Sequence, residues 1–318
     1  MRIVVLDGFR LNPGDNPWDD VAALGDLVVH ERTSPDQIAA RAEGADILLT
    51  NKTPLSADTL SRLPALRFIS VLATGFNIVD TAVAKARGIP VSNVPVYGTD
   101  AVAQFVFALA LEHCHHVAHH AAAVKAGQWA ERGDFCFWDF PLMELAGKTM
   151  GIVGFGRIGR RVGELATAFG MRVLVYDEYR GAPPPYPVQW PELPELFEVS
   201  DIVSLHCPQT ADNAGMVNKM LLAQMKSDAY LINTSRGGLV NERDLAEALN
   251  AGRIAGAACD VVSVEPIRAD NPLLSAKNIT ITPHIAWAAL DARRRLMKST
   301  ADNIAAFLAG TPINVVNP

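Results

Sequence analysis

The sequence predicts an α/β protein made of two doubly wound parallel-sheet domains. Three observations carry this. Short runs rich in Val, Ile and Leu alternate with longer amphipathic stretches, the pattern of strands buried on both faces and joined by crossover helices. The rhythm occurs twice, on either side of a long helical stretch. A chain of 318 residues, 49% hydrophobic and 19% charged, has the length and composition of two globular domains.

In the first half the strand-like runs are Arg2–Leu6, Asp26–His30, Ala45–Thr50, Leu66–Leu72 and Pro90–Val94. Helical patterns lie between them at Ser34–Ala42, Ser56–Leu63 and Val79–Arg87, the last closed by Gly88. One long helix is expected from about Asp100 to about Lys125, with Thr99 or Asp100 as its N-cap. Gly127–Lys148 then reads as a loop carrying Trp129, Phe135, Phe137, Trp138 and Phe140. So many aromatics either fill core beneath the loop or meet a partner subunit.

In the second half the runs are Thr149–Phe155, Met171–Asp177, Asp201–His206, Ala229–Thr234, Ile254–Val261 and Ile279–Thr282. Helices such as Arg160–Phe169, Lys219–Met225 and Glu242–Ala251 separate them. A last helix, Ala288–Leu308, ends at Gly310, and Thr311–Pro318 is expected to return to the first domain. Residues 99–287 then form one domain inserted in another made of residues 1–98 and 288–318, with the two crossings as a hinge.

The net charge of −6, from 28 basic and 34 acidic residues, offers no basic stripe for nucleic acid. No apolar run approaches the roughly 20 residues of a membrane span. The start, Met1–Gly8, turns polar too soon for a secretory leader. Cys114, Cys136, Cys207 and Cys259 are scattered, which reads as buried reduced thiols in a cytoplasmic protein.

The most informative motif is Gly154-Phe-Gly156-Arg-Ile-Gly159. Such a triplet alone is weak, but this one follows a strand and opens a helix. Gly154 permits the tight turn, Gly156 lets a pyrophosphate approach the backbone, and Gly159 lets helix pack close to strand. The helix N-terminus adds N–H donors and positive potential for phosphate. Arg157 and Ile158, at the loop tip, are expected to touch the cofactor. The next strand ends in Asp177, 18 residues after Gly159. A carboxylate there accepts hydrogen bonds from the adenosine ribose and repels a 2′-phosphate, so NAD is favoured over NADP. Glu178 adds to this and Arg180 weakens it slightly.

Reduction of a ketone by hydride needs a proton donor and a cation that polarises the carbonyl. His284 follows the strand Ile279–Thr282, at the end where ligands of open α/β sheets bind, and histidine suits the donor role. Glu265 follows the preceding strand, and a carboxylate beside an imidazole fixes its tautomer and favours its charged form. Arg236, in Asn233-Thr-Ser-Arg-Gly-Gly, ends a third strand, and its guanidinium suits a carboxylate and an adjacent carbonyl. Each alone is an ordinary structural residue as readily as a functional one; three at successive strand ends are harder to assign to coincidence.

These residues resemble the D-isomer-specific 2-hydroxyacid dehydrogenase family along nearly the whole chain. The similar segments are Ala73–Asp80, Asn93–Ala103, the glycine turn, Leu205–Thr210, Asn233–Gly238, Asp260–Pro266 and Thr282–Trp287. Ala73–Asn77 and Ala286-Trp287 are most similar to the glycerate dehydrogenase (hydroxypyruvate reductase) branch. The resemblance implies a Rossmann NAD-binding domain inserted in a flavodoxin-like substrate domain.

It also implies roles. Arg236 binds the substrate carboxylate and carbonyl, His284 protonates the carbonyl oxygen, and Glu265 holds and charges His284. Backbone N–H groups of Ala73, Thr74 and Gly75 bind the carboxylate. Val102 borders the nicotinamide; His206, Cys207 and Pro208 line the adenine side; Thr234, Ser235 and Asp260 lie along the nicotinamide half. The implied substrate is a small 2-oxo acid, hydroxypyruvate or glyoxylate, and the implied assembly is a homodimer formed through the nucleotide domain. Lys52 either assists carboxylate binding or is a solvated loop charge. One departure is Gln104-Phe105, where many relatives place a carboxylate-type residue followed by His.

Five of the eight histidines fall in His113–His120. His115/His119 and His116/His120 have the i,i+4 spacing that chelates a metal on a helix, but the implied chemistry needs none. A solvated or interface face is the preferred reading, with no metal. Relatives acting on formate, phosphite, lactate or phosphoglycerate share the scaffold. So does an NAD-sensing corepressor, which keeps the same Arg, Glu and His. The chain ends just past the folded pattern, without the disordered tail expected of that role.

Overall fold

The computed structural model describes all 318 residues, and they divide into two compact units. One comprises Met1–Gly98 and Ala288–Pro318, the other Thr99–Trp287.

The first unit holds a five-stranded parallel sheet: β1 (Arg2–Val5), β2 (Asp26–Val29), β3 (Ile47–Thr50), β4 (Phe68–Val71) and β5 (Val91–Ser92). The spatial order is β2-β1-β3-β4-β5, so the direction of winding reverses between β1 and β3. β3 and β4 are buried at every position, which is why they read as mostly apolar runs, broken only by buried Thr50 and Ser70, rather than alternating ones. The Leu290–Leu308 helix packs on this sheet, with Phe307 stacked on fully buried Phe68 at 4.5 Å between ring centroids. The C-terminal segment does return to this unit. Val315 forms an antiparallel bridge to Ser92, and Asn317 Oδ1 accepts the Val91 N–H at 2.8 Å.

The second unit holds a six-stranded parallel sheet: β6 (Thr149–Val153), β7 (Arg172–Tyr176), β8 (Ile202–Leu205), β9 (Tyr230–Asn233), β10 (Gly256–Cys259) and β11 (Ile279–Ile281). Its order is β11-β10-β9-β8-β6-β7, reversing between β6 and β8. Outside β7, Gln189 adds a single parallel bridge to Leu174, in the place of the third strand of a dinucleotide-binding sheet. Its neighbours are Pro-rich, which leaves too few N–H groups for a full strand.

Three expectations need correction. The helix expected across residues 100–125 is two helices, Thr99–His115 and Val117–Lys125, because His116 adopts a left-handed conformation (φ 46°). The i,i+4 spacing of His115 and His119 therefore spans a break and does not place them on one helical face. The segment 127–148 contains a helix of its own, Gln128–Arg132. The cysteines are not all buried: Cys114 and Cys259 are, Cys207 is half-buried and Cys136 is exposed. No helix is long and apolar enough to cross a membrane.

Phe68 is the largest fully buried side chain of the first unit, and its removal leaves a cavity under the Leu290–Leu308 helix. Phe68→Ala is expected to destabilise that unit by about 3–5 kcal/mol, read as an earlier first transition in denaturant unfolding.

Candidate active site

The sheet registers set the site of the second unit. Val153 pairs with Tyr176 and Leu205, Leu205 with Asn233, Asn233 with Cys259, and Cys259 with Ile281. The residues immediately after these, Gly154, Asp177, His206, Thr234, Asp260 and Thr282, thus lie along one carboxyl edge of the sheet. Regions far apart in sequence are brought to one rim by parallel pairing alone.

The glycine turn has a separate steric reason at each glycine. Gly154 has φ +95°, and a Cβ there would lie 2.3 Å from the Cys207 backbone nitrogen. A Cβ on Gly159 would lie 2.1 Å from the Gly154 carbonyl oxygen. A Cβ on Gly156 would meet nothing in the protein. Packing therefore demands Gly154 and Gly159, whereas at Gly156 open space is kept above the turn. The helix Arg157–Ala168 starts there, so its first N–H groups have no intrahelical partner and face that space. A dinucleotide pyrophosphate fits this cradle.

Asp177 is braced within the same turn. One oxygen accepts the Phe155 N–H, the other the Tyr179 N–H at 2.9 Å. Each oxygen retains a lone pair for a ribose hydroxyl. Across the rim, His206 hydrogen-bonds Ser204 Oγ at 2.8 Å, and burial pushes its pKa down to about 3, so the ring is neutral. Burial raises the Cys207 thiol to about 11, which keeps it protonated. Ser235 Oγ donates to the Cys207 carbonyl, tying the loop after β9 to the loop after β8. Thr234 Oγ1 is buried without a partner, as suits a hydroxyl reserved for a ligand. Val102 is buried on the Thr99–His115 helix; Pro208 is exposed.

His284 and Glu265 meet directly: Nδ1 lies 2.7 Å from Oε2, both side chains partly exposed. His284 sits at φ +56°, a backbone conformation uncommon for a residue with a side chain. Asp260 holds it there. This buried carboxylate accepts Thr282 Oγ1–H at 2.7 Å, the Ile285 N–H at 2.8 Å and the Ala286 N–H at 2.8 Å. The Asp260 carbonyl accepts the His284 N–H. Asp260, expected on the cofactor side, is thus engaged in shaping the histidine loop. Arg236 is exposed at the end of β9, and its Nη1 donates to the Ser235 carbonyl at 2.8 Å. Its own carbonyl accepts Asn233 Nδ2 at 2.9 Å.

In the first unit, Ala73–Gly75 follow β4. Val94 N–H donates to the Ala73 carbonyl, Thr74 Oγ1 to the Val94 carbonyl, and Asn93 Nδ2 to the Thr74 carbonyl. The carbonyls are tied down, while the three N–H groups of Ala73, Thr74 and Gly75 donate to nothing within the fold. Three such donors in succession are a candidate anion cradle. The groups missed by sequence reasoning are those that brace the functional ones, Asp7, Asn51, Asn93 and Ser204; their partners lie far along the chain or are backbone atoms.

The histidine segment is internally engaged. His113 stacks on Tyr230 at 3.8 Å, and burial lowers its pKa to about 4. His119 Nε2 lies 2.9 Å from Asp139 Oδ2, and His120 Nδ1 donates to the His116 carbonyl.

The two steric classes of glycine predict different failures. Gly156→Ala is expected to leave the melting temperature unchanged and to weaken NADH at least about tenfold in a fluorescence titration, about 1.4 kcal/mol. Gly159→Ala is expected to lower the melting temperature as well.

Comparison with known proteins agrees with this geometry. Residues 107–286 match the family model for the D-isomer specific 2-hydroxyacid dehydrogenase NAD binding domain. The chain is 51% identical to a hydroxypyruvate reductase of Blautia hydrogenotrophica, with the whole of both chains covered. It is 41% identical to a glycerate dehydrogenase of Methylorubrum extorquens, covering 89% of each. The structure matches that of the TT0316 protein from Thermus thermophilus with a TM-score of 0.86 and 34% identity, over 99% of this chain and 100% of that one. With an NAD-binding domain and full-length relatives of this kind, the chain belongs to the D-isomer-specific 2-hydroxyacid dehydrogenase family, oxidoreductases acting on a CH–OH group.

Proposed function

We propose that this protein reduces a small 2-oxo acid, hydroxypyruvate or glyoxylate, reversibly to the D-2-hydroxy acid, with His284 as general acid. The observation that carries this is the 2.7 Å His284–Glu265 pair on the same sheet edge as the dinucleotide turn. The 51% identical hydroxypyruvate reductase and the 41% identical glycerate dehydrogenase favour the three-carbon substrate.

The nicotinamide, when bound, supplies the hydride that the carbonyl carbon accepts. The protein's part is the proton and the charge. Glu265 accepts from His284 Nδ1–H, so Nε2 carries the second proton when the ring is charged. His284 Nε2–H is donated to the carbonyl oxygen as negative charge grows there; in the oxidative direction the neutral ring takes that proton back. Arg236 binds the carboxylate and polarises the carbonyl, which places positive charge where the oxyanion forms. The free N–H groups of Ala73, Thr74 and Gly75, with Lys52, bind the substrate carboxylate. Asp177 receives the adenosine ribose and disfavours a 2′-phosphate. Val102, Arg157, Ile158, His206, Cys207, Pro208, Thr234 and Ser235 line the cofactor.

We further propose a homodimer built through the 117–142 region. Phe135 is 85% exposed and Trp138 62%, with Val117, Val124, Trp129 and Leu142 also exposed nearby in sequence. Val117, Val124, Phe137, Trp138 and Leu142 line one open, largely apolar hollow. A second copy of the chain would cover it.

Purified protein is expected to oxidise NADH with hydroxypyruvate or glyoxylate; no turnover with any of a panel of 2-oxo acids would reject the assignment. His284→Ala is expected to lower kcat by about 10²–10⁴-fold while NADH affinity is retained. Full activity in that variant would remove the acid role. Trp138→Lys is expected to shift the protein from dimer to monomer in light scattering.

A further inference from the structure

The first unit contains a buried carboxylate that the reaction scheme does not use. Asp7 follows β1 and is 1% exposed. Its Oδ1 accepts the Asn51 N–H at 2.7 Å; its Oδ2 accepts the Lys52 N–H at 2.6 Å and the Thr53 N–H at 2.9 Å. Arg10 Nη1 reaches Oδ2 from the solvent side at 3.2 Å. Three successive N–H groups of the loop after β3 are therefore held by one side chain 44 to 46 positions away.

The place in the fold matters. β1 and β3 are neighbours, and the winding reverses between them, which is where open sheets of this order receive their ligands. The clamped loop carries Lys52, whose side chain is exposed, between Asn51 and Thr53, which are buried. Asn51 extends the clamp: its Nδ2 donates to the Leu72 carbonyl at 2.6 Å, one residue before the Ala73–Gly75 cradle. Thr50 Oγ1 closes the loop on the Thr53 carbonyl at 2.7 Å. A solvated lysine on a mobile loop loses several rotatable bonds on binding an anion. A lysine on a backbone fixed by charge-assisted hydrogen bonds loses fewer.

We propose that Asp7 is a positioning residue for substrate: by clamping Asn51–Thr53 it fixes Lys52 beside the Ala73–Gly75 cradle, so that Lys52 receives the carboxylate of the 2-oxo acid. This rests on the reading of Lys52 given above. Asp7 touches no substrate and acts through Lys52. Its effect falls on substrate KM and not on the dinucleotide, whose glycine turn lies in the other unit.

The test is a double-mutant cycle with Asp7→Asn and Lys52→Met, by steady-state kinetics with hydroxypyruvate and NADH. Asparagine keeps the shape of Asp7 but puts an NH₂ donor against N–H groups that need an acceptor. Each single variant is expected to raise the KM for hydroxypyruvate at least tenfold, with kcat changed less than threefold and the KM for NADH unchanged. In the double variant Asp7→Asn is expected to add less than twofold to the effect of Lys52→Met. If Lys52→Met leaves KM unchanged, the Lys52 reading fails and the inference fails with it. If Lys52→Met raises KM but the two effects multiply, or if Asp7→Asn lowers kcat and weakens NADH as well, the Asp7 inference alone is overturned. Should Asp7→Asn not fold, Asp7→Ser, whose smaller hydroxyl leaves room for a bridging water, is carried through the same cycle.

Discussion

A carboxylate at the end of one parallel strand accepts N–H groups from the loop that follows a neighbouring strand, and the functional loops depend on this interaction. Asp7, after β1, holds the loop after β3. Asp177, after β7, holds Phe155 in the loop after β6. Asp260, after β10, holds Ile285 and Ala286 in the loop after β11. A strand leaving a parallel sheet carries N–H groups that no longer have a ladder partner, and buried backbone donors must be satisfied. An ionised carboxylate does this with two oxygens and stronger bonds than a neutral acceptor makes. The cost of burying the charge is offset by several donors at once.

The same interaction explains why a strained residue persists beside Glu265. His284 at φ +56° is unfavourable in isolation, by roughly 1–3 kcal/mol. It is over-determined by its surroundings. Its N–H goes to the Asp260 carbonyl, its own carbonyl accepts the Trp287 indole N–H at 2.9 Å, and the N–H groups of the next two residues go to the Asp260 carboxylate. The backbone cannot relax without leaving those donors unpaired. The imidazole is therefore presented in one orientation, with Nδ1 held by Glu265.

How much of this was legible in the sequence follows from the range of each cause. The glycine turn was legible because its requirements are local: Gly154 and Gly159 constrain each other five residues apart. The strands were legible because burial on both faces writes itself as short runs of mostly apolar residues, although each run overstates its strand by one or two residues at the ends. Arg236, Glu265 and His284 stood out as candidates because strand ends could be counted and the resemblance implied roles for them. The break at His116 was not legible, since nothing in the Asp100–Lys125 composition forbids a continuous helix. Its geometry comes with tertiary packing, His113 on Tyr230 and Met143 N–H on the Cys114 carbonyl. The role of Asp7 was also invisible, because an acid after an apolar run is ordinary and the three loop groups it holds are backbone N–H groups that carry no residue signature.

The two sheets solve one topological problem in the same way. Where winding reverses, crossovers leave in opposite directions, and the two loops beside the reversal lose the packing that neighbouring loops give elsewhere. That opening is what makes a ligand site, and it is also what leaves the loops without support. In the second unit the reversal lies between β6 and β8, and the glycine turn after β6 is held by Asp177 from the strand on its other side. In the first unit it lies between β1 and β3, and Asp7 spans the reversal itself. A hydrophobic brace would have to fill the opening and so abolish the site. A carboxylate reaching along the rim to backbone N–H groups fixes the loop and leaves the space above it open, so the residues that make these loops rigid need not be the residues that bind.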